Sequence, residues 1–416
     1  MESAPTAAGD ARRKAELCGR IVVYITLFGM LGGFLWAYRA AFYKGLGYPS
    51  NTFLFRPENA FGDLKDFFGP VLSGDPLTAY VSVYPPFSYV LMEPFARIGG
   101  NASVAILAAI CCTGLAIFAW WELSGFKPVD RVALVLVLAG FNFPVLYAID
   151  RANIDVFATL FVAAAIVSLQ TRRSFSGAIF VGAAAATKIY PAIFLLLLVK
   201  RREWWPTAAG VGVALILTFS SFAVFSYSPL EGTSALAERL SVYTNAYAVG
   251  DEGLRFGSSL YGMLKVFLVP DVVSGQEAIQ NLLTAYTAFS ILVGLVVIVM
   301  LVMLPLAFWE QVTLLTSACL LLPSVSADYR LVLLVVPLAL FLREGTTTRL
   351  SLAVTTCFAL LLVPKPYFQV KPPDVNVGVV VNPFLLLTLM ALVAGAGIAR
   401  SRSKAPKGAA PNMSPA

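Results

Sequence analysis

VALVLVLAGFNFPVLYAI (residues 132–149) and VFATLFVAAAIVSL (residues 156–169) are two apolar runs parted by Asp150-Arg151-Ala152-Asn153-Ile154-Asp155. An α-helix needs roughly 20 residues to cross the ~30 Å hydrocarbon core of a bilayer. Runs of about this length, closed by a junction dense in charge, read as membrane-spanning helices that turn at the bilayer surface. The pattern continues in both directions, with apolar cores at Ile21–Tyr38, Val104–Trp121, Thr207–Phe225, Leu283–Met303, Leu306–Leu322, Leu331–Leu342, Leu352–Val363 and Val379–Ile398. The tract Gly177–Val199 is split at Lys188-Ile189-Tyr190-Pro191 and reads as two short helices turning back, which brings the count to about twelve spans. Phe87–Ile98 and Leu260–Val269 are too short to cross and follow polar loops, so they read as re-entrant or interfacial. Apolar residues make up 58% of the chain and charged ones 13%, about half the charge of an ordinary soluble domain. The expected fold is an all-α polytopic membrane bundle with a large first external loop carrying amphipathic helices.

Basic residues set the orientation. Arg12, Arg13, Lys14 and Arg20 precede the first span. Lys127 and Arg131, Arg172 and Arg173, Lys200-Arg201-Arg202, and Arg343 and Arg349 occupy alternate loops, and Arg400, Arg402, Lys404 and Lys407 follow the last span. With twelve spans all of them fall on one side, so both termini are expected in the cytoplasm of a plasma (inner) membrane protein. The net charge of +7 then reflects topology and contact with anionic lipids, not nucleic acid. Residues 1–19 form a cytoplasmic arm, 20–399 the transmembrane domain and 400–416 a tail. That tail and the first ten residues have the composition of disordered segments. The first span has no small-residue cleavage pattern behind it, so it is not read as a signal peptide. The opposite face carries the long segments 41–101, 226–280 and 365–378, together with the junctions Asp150–Asp155, Lys188–Pro191 and Ser324–Arg330.

Two absences narrow the chemistry. Without a single histidine, no imidazole base and no Ser-His-Asp triad can be built. Cys18, Cys111, Cys112, Cys319 and Cys357 lie in spans or in the cytoplasmic arm, so they supply neither an external disulfide framework nor a CxxC pair. Any acid or base must therefore be Asp, Glu, Lys or Tyr. No Rossmann fingerprint or GxxxxGK loop marks a soluble nucleotide-sugar domain.

Polar residues at external depth each have two readings. In Phe61-Gly62-Asp63-Leu64-Lys65-Asp66-Phe67-Phe68 the two aspartates share a helix face at i and i+3, suited to proton abstraction or cation coordination, or else to an ordinary amphipathic surface helix. Asp150-Arg151-Ala152-Asn153-Ile154-Asp155 could hold a phosphate or a sugar hydroxyl, or Arg151 could simply neutralise Asp150 or Asp155. Lys188 follows a run of small and apolar residues, so it snorkels, pairs or binds an anion, phosphate being a natural partner for its ammonium. In Ser324-Val325-Ser326-Ala327-Asp328-Tyr329-Arg330, Arg330 is a second phosphate candidate, with Asp328 expected beside it. Glu93 is a carboxylate in a short apolar segment that could cap a re-entrant turn.

Taken in order, Asp63-Leu-Lys-Asp-Phe-Phe, Gly74-Asp75-Pro76, Tyr84-Pro85-Pro86-Phe87, Asp150-Arg-Ala-Asn-Ile-Asp155, Ala186-Thr187-Lys188-Ile-Tyr190-Pro191 and Lys200-Arg-Arg resemble glycosyltransferase family 87, over roughly residues 20 to 345. These are GT-C enzymes that include polyprenyl-phosphate-mannose-dependent mannosyltransferases and arabinofuranosyltransferases. The resemblance implies transfer of a hexosyl or pentosyl unit, mannose favoured, from a polyprenyl-phosphate donor to a lipid or polysaccharide acceptor on the external or periplasmic face, with inversion. The family's catalytic aspartate falls on Asp63, with Asp66 and Glu93 as secondary acid candidates. Lys188, Arg151 and Arg330 become candidates for the donor phosphate. Asp150, Asn153, Asp155, Tyr84, Tyr190, Asp328 and Tyr329 become candidates for sugar or acceptor. No cofactor is required, a divalent cation stays open, and membrane lipids are the remaining partners. The sequence departs from the family at Ala152, where many members have glycine, and in lacking a histidine near Ser326–Tyr329. The rival reading is a secondary transporter or lipid-linked-sugar flippase, which would gather its charges at the midplane between short loops. Here they gather at one face beside long loops.

Overall fold

The computed structural model describes residues 7–45, 61–77, 83–250, 254, 257–269, 275–344, 350–365, 369–371 and 375–404. The first helix, α1 (Ala7–Lys44), runs unbroken from the basic arm through the first apolar core because no proline interrupts it. Two amphipathic helices come next: α2 (Gly62–Leu72) and α3 (Pro86–Ile98). Next come α4 (Gly100–Glu122), α5 (Pro128–Ala139), α6 (Phe143–Arg151), α7 (Asp155–Gln170) and α8 (Ser174–Thr187). A 3₁₀ segment, Tyr190–Leu195, leads into α9 (Leu196–Lys200), followed by α10 (Trp204–Val224) and α11 (Pro229–Tyr243). A π-helical turn, Thr244–Val249, precedes α12 (Leu260–Leu268), α13 (Gln276–Met303) and α14 (Phe308–Leu321). A second 3₁₀ segment, Asp328–Leu334, opens α15 (Val335–Glu344), and α16 (Ser351–Leu361) and α17 (Gly378–Lys404) complete the bundle. A short antiparallel ribbon, Gln369–Lys371 with Val375–Asn376, lies before α17.

Each of the twelve expected apolar cores coincides with helix, but among the described residues only six helical stretches, with 128–151 counted as one, are long and apolar enough to cross a membrane by themselves. Those over 155–170, 174–187, 190–200 and 351–361 are apolar and shorter. The expected single span 132–149 is in fact two helices. Asn142, fully buried, donates to the carbonyls of Val137 (2.8 Å) and Leu138 (3.2 Å) and accepts from the Val145 amide (3.0 Å). One side chain thus satisfies the end of α5 and the start of α6, where Pro144 has no N–H to give. The helical ends also reach further than composition suggested. Residues 7–10 belong to α1, and α17 continues past Arg400, whose guanidinium pairs with the buried Glu310 and donates to the Pro305 carbonyl (3.0 Å). The rest of both expected disordered segments, with Arg349 and Lys407, lies outside the described residues.

The split tract does turn back. Arg201, just past α9, donates to the Leu169 carbonyl at the end of α7 (3.0 Å), so the two legs of the hairpin share one end of the bundle. α8 packs against α10 almost backbone to backbone. A Cβ on Gly182 would come 2.4 Å from the Gly210 carbonyl oxygen, and one on Gly210 would come 2.9 Å from that of Ala178. Close contact through small residues is how helices associate where lipid removes the hydrophobic drive between them.

Basic loops meet at that same end. Arg20 pairs with Asp130 (3.0 Å), Lys127 with Glu16 (3.0 Å) and Arg343 with the buried Glu122 (2.6 Å). α14 and α15 form the centre, buried along nearly their whole length. α10 and α13 bury few side chains and turn Ile216, Leu292 and Met303 outward. Large apolar side chains on the outside and an acidic–basic seam with Glu122 and Glu310 buried at one end fit a protein solvated by lipid.

Candidate active site

At the other end of the bundle α2 and α3 pack together and onto the α6–α7 junction through Leu64, Phe67, Tyr89, Met92 and Ile154. α2 starts at Phe61, whose backbone is left-handed (φ 60°) and whose N–H donates to the Asp150 carbonyl (2.7 Å). Gly62 comes next, and its bare Cα leaves room for a guanidinium. A Cβ there would lie 3.0 Å from both terminal nitrogens of Arg151. The close approach that Gly62 permits is therefore to Arg151.

With its start fixed, α2 buries Leu64, Phe67 and Val71 and aims Asp63 inward. One Asp63 oxygen pairs with Arg151, and the other accepts from the Asn153 amide (2.5 Å). Asp66, one turn on, is exposed. Partial desolvation, followed by the nearby Asp63 charge, raises its pKa above the ordinary carboxylate value against the opposing pull of Arg151.

The 150–155 junction is shaped by its helix ends. Ala152 donates to Ile149 (2.8 Å) and Asn153 to Ala148 (3.0 Å), which closes α6 with a Schellman turn. The turn puts Ala152 at φ 49°, a left-handed position that favours glycine. Asn153, fully buried, accepts from the Asp155 amide (2.9 Å) at the first turn of α7 while its own amide serves Asp63 and reaches the Tyr84 hydroxyl (3.4 Å). Burial, and then the Asp63 charge, push the Tyr84 phenol's pKa up, so it stays neutral.

Beyond Tyr84 lies a second charged group. Asp155 is completely buried, and one of its oxygens accepts from the Tyr190 hydroxyl (2.7 Å). The other faces Lys188 Nζ at 3.4 Å and Arg330 Nε at 3.9 Å. Lys188 sits between α8 and the following 3₁₀ segment, its ammonium 4.2 Å from the Tyr84 ring centre, so it does not snorkel to water. Arg330 lies 5.4 Å from the Tyr190 ring and donates to the Val325 carbonyl (2.8 Å), while its buried Nε has no hydrogen-bond partner. Lys188 and Arg330 share the single Asp155 carboxylate, which leaves that group with one positive charge in excess. A buried excess cation is costly until an anion enters.

Several sequence expectations change here. Arg151 pairs with Asp63 on α2, a partner the local sequence did not offer, and the Asp150 carbonyl accepts from the Phe61 amide at the start of α2. Asp328 does not accompany Arg330. It turns the other way and accepts from Ser258 and from Asn382 on α17 (3.0 Å). Successive side chains on a 3₁₀ segment leave in different directions, so two residues' separation parts them. Tyr329 packs against Tyr147, with ring centres 6.1 Å apart. Glu93 is no buried acid: its side chain is 30% exposed and pairs with Arg97 one turn along α3 (2.6 Å), away from Asp63. Sequence reasoning missed Ser258 and Asn382. Asn382 had a signal, a lone amide before Pro383 in an otherwise apolar run. It also missed Lys265, which is 1% exposed and donates to the Ala248 (2.9 Å) and Val249 (3.0 Å) carbonyls, tying down the π-helical turn after α11. No group of three or more acidic or cysteine side chains fit to hold a metal occurs among the described residues.

Comparison with curated proteins gives no match. The sequence model of glycosyltransferase family 87 matches residues 83–337. That range takes in Tyr84, the 150–155 junction, Lys188, Tyr190 and Asp328–Arg330, and begins after Asp63. A family model covering more than half of a chain built of apolar helices leads to one conclusion: the chain belongs to glycosyltransferase family 87 and is a membrane glycosyltransferase.

Proposed function

We propose that the protein transfers a sugar, mannose favoured, from a polyprenyl-phosphate donor to a hydroxyl of a glycolipid or polysaccharide acceptor, with inversion and with Asp63 as base. The acceptor oxygen attacks the anomeric carbon as its proton passes to Asp63. The bond from that carbon to the phosphate oxygen breaks, and its electron pair leaves with the polyprenyl phosphate. The observation that carries this reading is one continuous line of contacts. Asp63 accepts from Asn153, Asn153 reaches the Tyr84 hydroxyl at 3.4 Å, and the Tyr84 ring lies 4.2 Å from the Lys188 ammonium. A base and an under-neutralised cation pair therefore stand on adjoining walls, as an attacking hydroxyl and a departing phosphate require. The single excess positive charge equals the charge of one phosphodiester.

Arg151 and Asn153 hold the Asp63 carboxylate in one orientation and leave lone pairs for an incoming hydroxyl. Lys188 and Arg330, shared with Asp155, stabilise the charge that grows on the leaving phosphate. Asp66 points outward and has no part in the proton transfer. The site opens on the external or periplasmic side, since the basic loops gather at the opposite end.

The test supplies purified protein with polyprenyl-phosphate-mannose and, separately, polyprenyl-phosphate-arabinose, together with a lipid extract as acceptor. Asp63→Asn should reduce transfer by roughly 10²–10⁴-fold, the range of general-base contributions, with insertion and donor binding retained. Near-normal turnover in Asp63→Asn, or consumption of neither donor by the wild type, would sink the proposal.

A further inference from the structure

The basic end of the bundle carries a groove of about 790 Å³ between the end of α4 and the start of α5. Ile117 and Val135 line its apolar wall, with Trp120, Trp121, Arg131 and Arg343 around them. Ile117 is 67% exposed and Trp121 58%, so the groove opens sideways into the surrounding bilayer. Tryptophans at the ends of membrane helices sit at the level of lipid headgroups.

Arg131 is held differently from the carboxylate-paired cations at this end. Arg20, Lys127, Arg343 and Arg400 each have a carboxylate partner, in Asp130, Glu16, Glu122 and Glu310. No ion pair joins Arg131 to a carboxylate among the described residues. Its guanidinium lies over the Trp120 ring, 3.7 Å from the centre, and Nε donates to the Trp120 carbonyl (3.1 Å) with Nη2 beside it. The side chain is thus fixed in direction, and Nη1 remains available to donate. A fixed, uncompensated cation above an apolar slot open to lipid is complementary to an anionic headgroup above an acyl chain.

We propose that this groove binds an anionic glycerophospholipid of the leaflet that meets the basic end, with the phosphate on Arg131 and an acyl chain along Ile117 and Val135. The site is separate from the Asp63–Arg330 cluster at the other end of the molecule and does not depend on the identity of the sugar donor.

The experiment uses the full chain in phosphatidylcholine bilayers, titrated with phosphatidylglycerol or phosphatidylcholine carrying brominated acyl chains, and reads tryptophan quenching. The groove signal is the quenching lost in Trp121→Phe. Wild type should reach half-quenching of that signal at about fivefold less brominated phosphatidylglycerol than phosphatidylcholine, the scale of one arginine against an anionic surface. Arg131→Gln should bring the two lipids to within twofold, and Arg131→Lys should keep most of the preference. Equal quenching by both lipids in the wild type means ordinary bilayer solvation and overturns the proposal. So does a preference that survives Arg131→Gln, or one lost equally in Arg131→Lys, because neither follows from charge on Arg131.

Discussion

Asn153 is the residue whose replacement tests the site most sharply, because one amide serves three partners. Replacing it with alanine removes its hydrogen bond to Asp63, its reach to Tyr84 and its acceptance of the Asp155 amide. A hydrogen bond to a charged group contributes about 1.5–3 kcal/mol, so Asn153→Ala should cost roughly 10- to 150-fold in kcat/KM. Asn153→Asp is nearly isosteric and keeps the oxygen that accepts from Asp155. It also turns the donor 2.5 Å from Asp63 into a second carboxylate. Even relaxed to about 4 Å, two like charges near a protein surface repel by about 4 kcal/mol, equivalent to roughly three decades in rate. The pair then either takes up a proton, which occupies the acceptor site on Asp63, or swings apart. Asn153→Asp should therefore be the worse enzyme by at least tenfold, despite the smaller change in shape. The assay is initial-rate transfer across donor concentrations in membranes matched for protein content. If Asn153→Asp equals or exceeds Asn153→Ala, Asp63 does not work as an ionised base held by this amide, and the reasoning fails.

Lys188→Met keeps bulk while removing charge, and Arg330 still faces Asp155 at 3.9 Å; insertion should survive, with kcat/KM for donor down on the order of 10²-fold. Full turnover at low donor would reduce the lysine to a counter-ion for Asp155. Asp66 holds a proton more tightly folded than unfolded, since its pKa is raised by desolvation and by Asp63; its ionisation therefore opposes folding above the ordinary carboxylate range, and the penalty vanishes as pH falls through it. Asp66→Asn should accordingly unfold at a higher temperature than wild type at pH 7 and at the same temperature near pH ~3.5, with transfer little changed; a lower melting temperature at pH 7 contradicts this. Ala152→Gly relieves a left-handed alanine (φ 49°) and should stabilise by about 1 kcal/mol, read as a rise in thermal midpoint in detergent; a fall would show the Schellman turn to be wrong.

Much of this arrangement could be read from the chain. Every apolar core found a helix, because in a membrane protein long apolar runs have few other uses, and the break at Lys188 was visible as a charge followed by Pro191 in a run of small residues. The break at Asn142 was not visible, because one buried amide among apolar neighbours barely alters hydropathy, and its effect lies in whose carbonyls it reaches. Pairing was the least legible. Arg151 has acids at Asp150 and Asp155 close by in sequence, but its bond to Asp63 on another helix follows from the left-handed turn at Phe61 and the bare Cα of Gly62, which bring α2 onto it. Asp328 likewise takes partners from residues 258 and 382, which no local pattern joins to it.

The contact between Gly182 and Gly210 has an evolutionary consequence. Lys188 ends a leg whose position against α10 tolerates no added carbon, since a Cβ on Gly182 would stand 2.4 Å from a carbonyl oxygen. The wall that carries the lysine is therefore a fixed datum, and divergence toward new acceptors has to be absorbed on the α2 side, where Tyr227, just before α11, and Ala235 on it pack onto the cluster of Leu64 and Phe67. Random mutagenesis followed by selection for an altered acceptor should recover changes in residues 61–77 and 226–250 and leave the α8–α10 seam untouched. Recovered variants carrying bulky side chains at Gly182 or Gly210 would show that the datum can move.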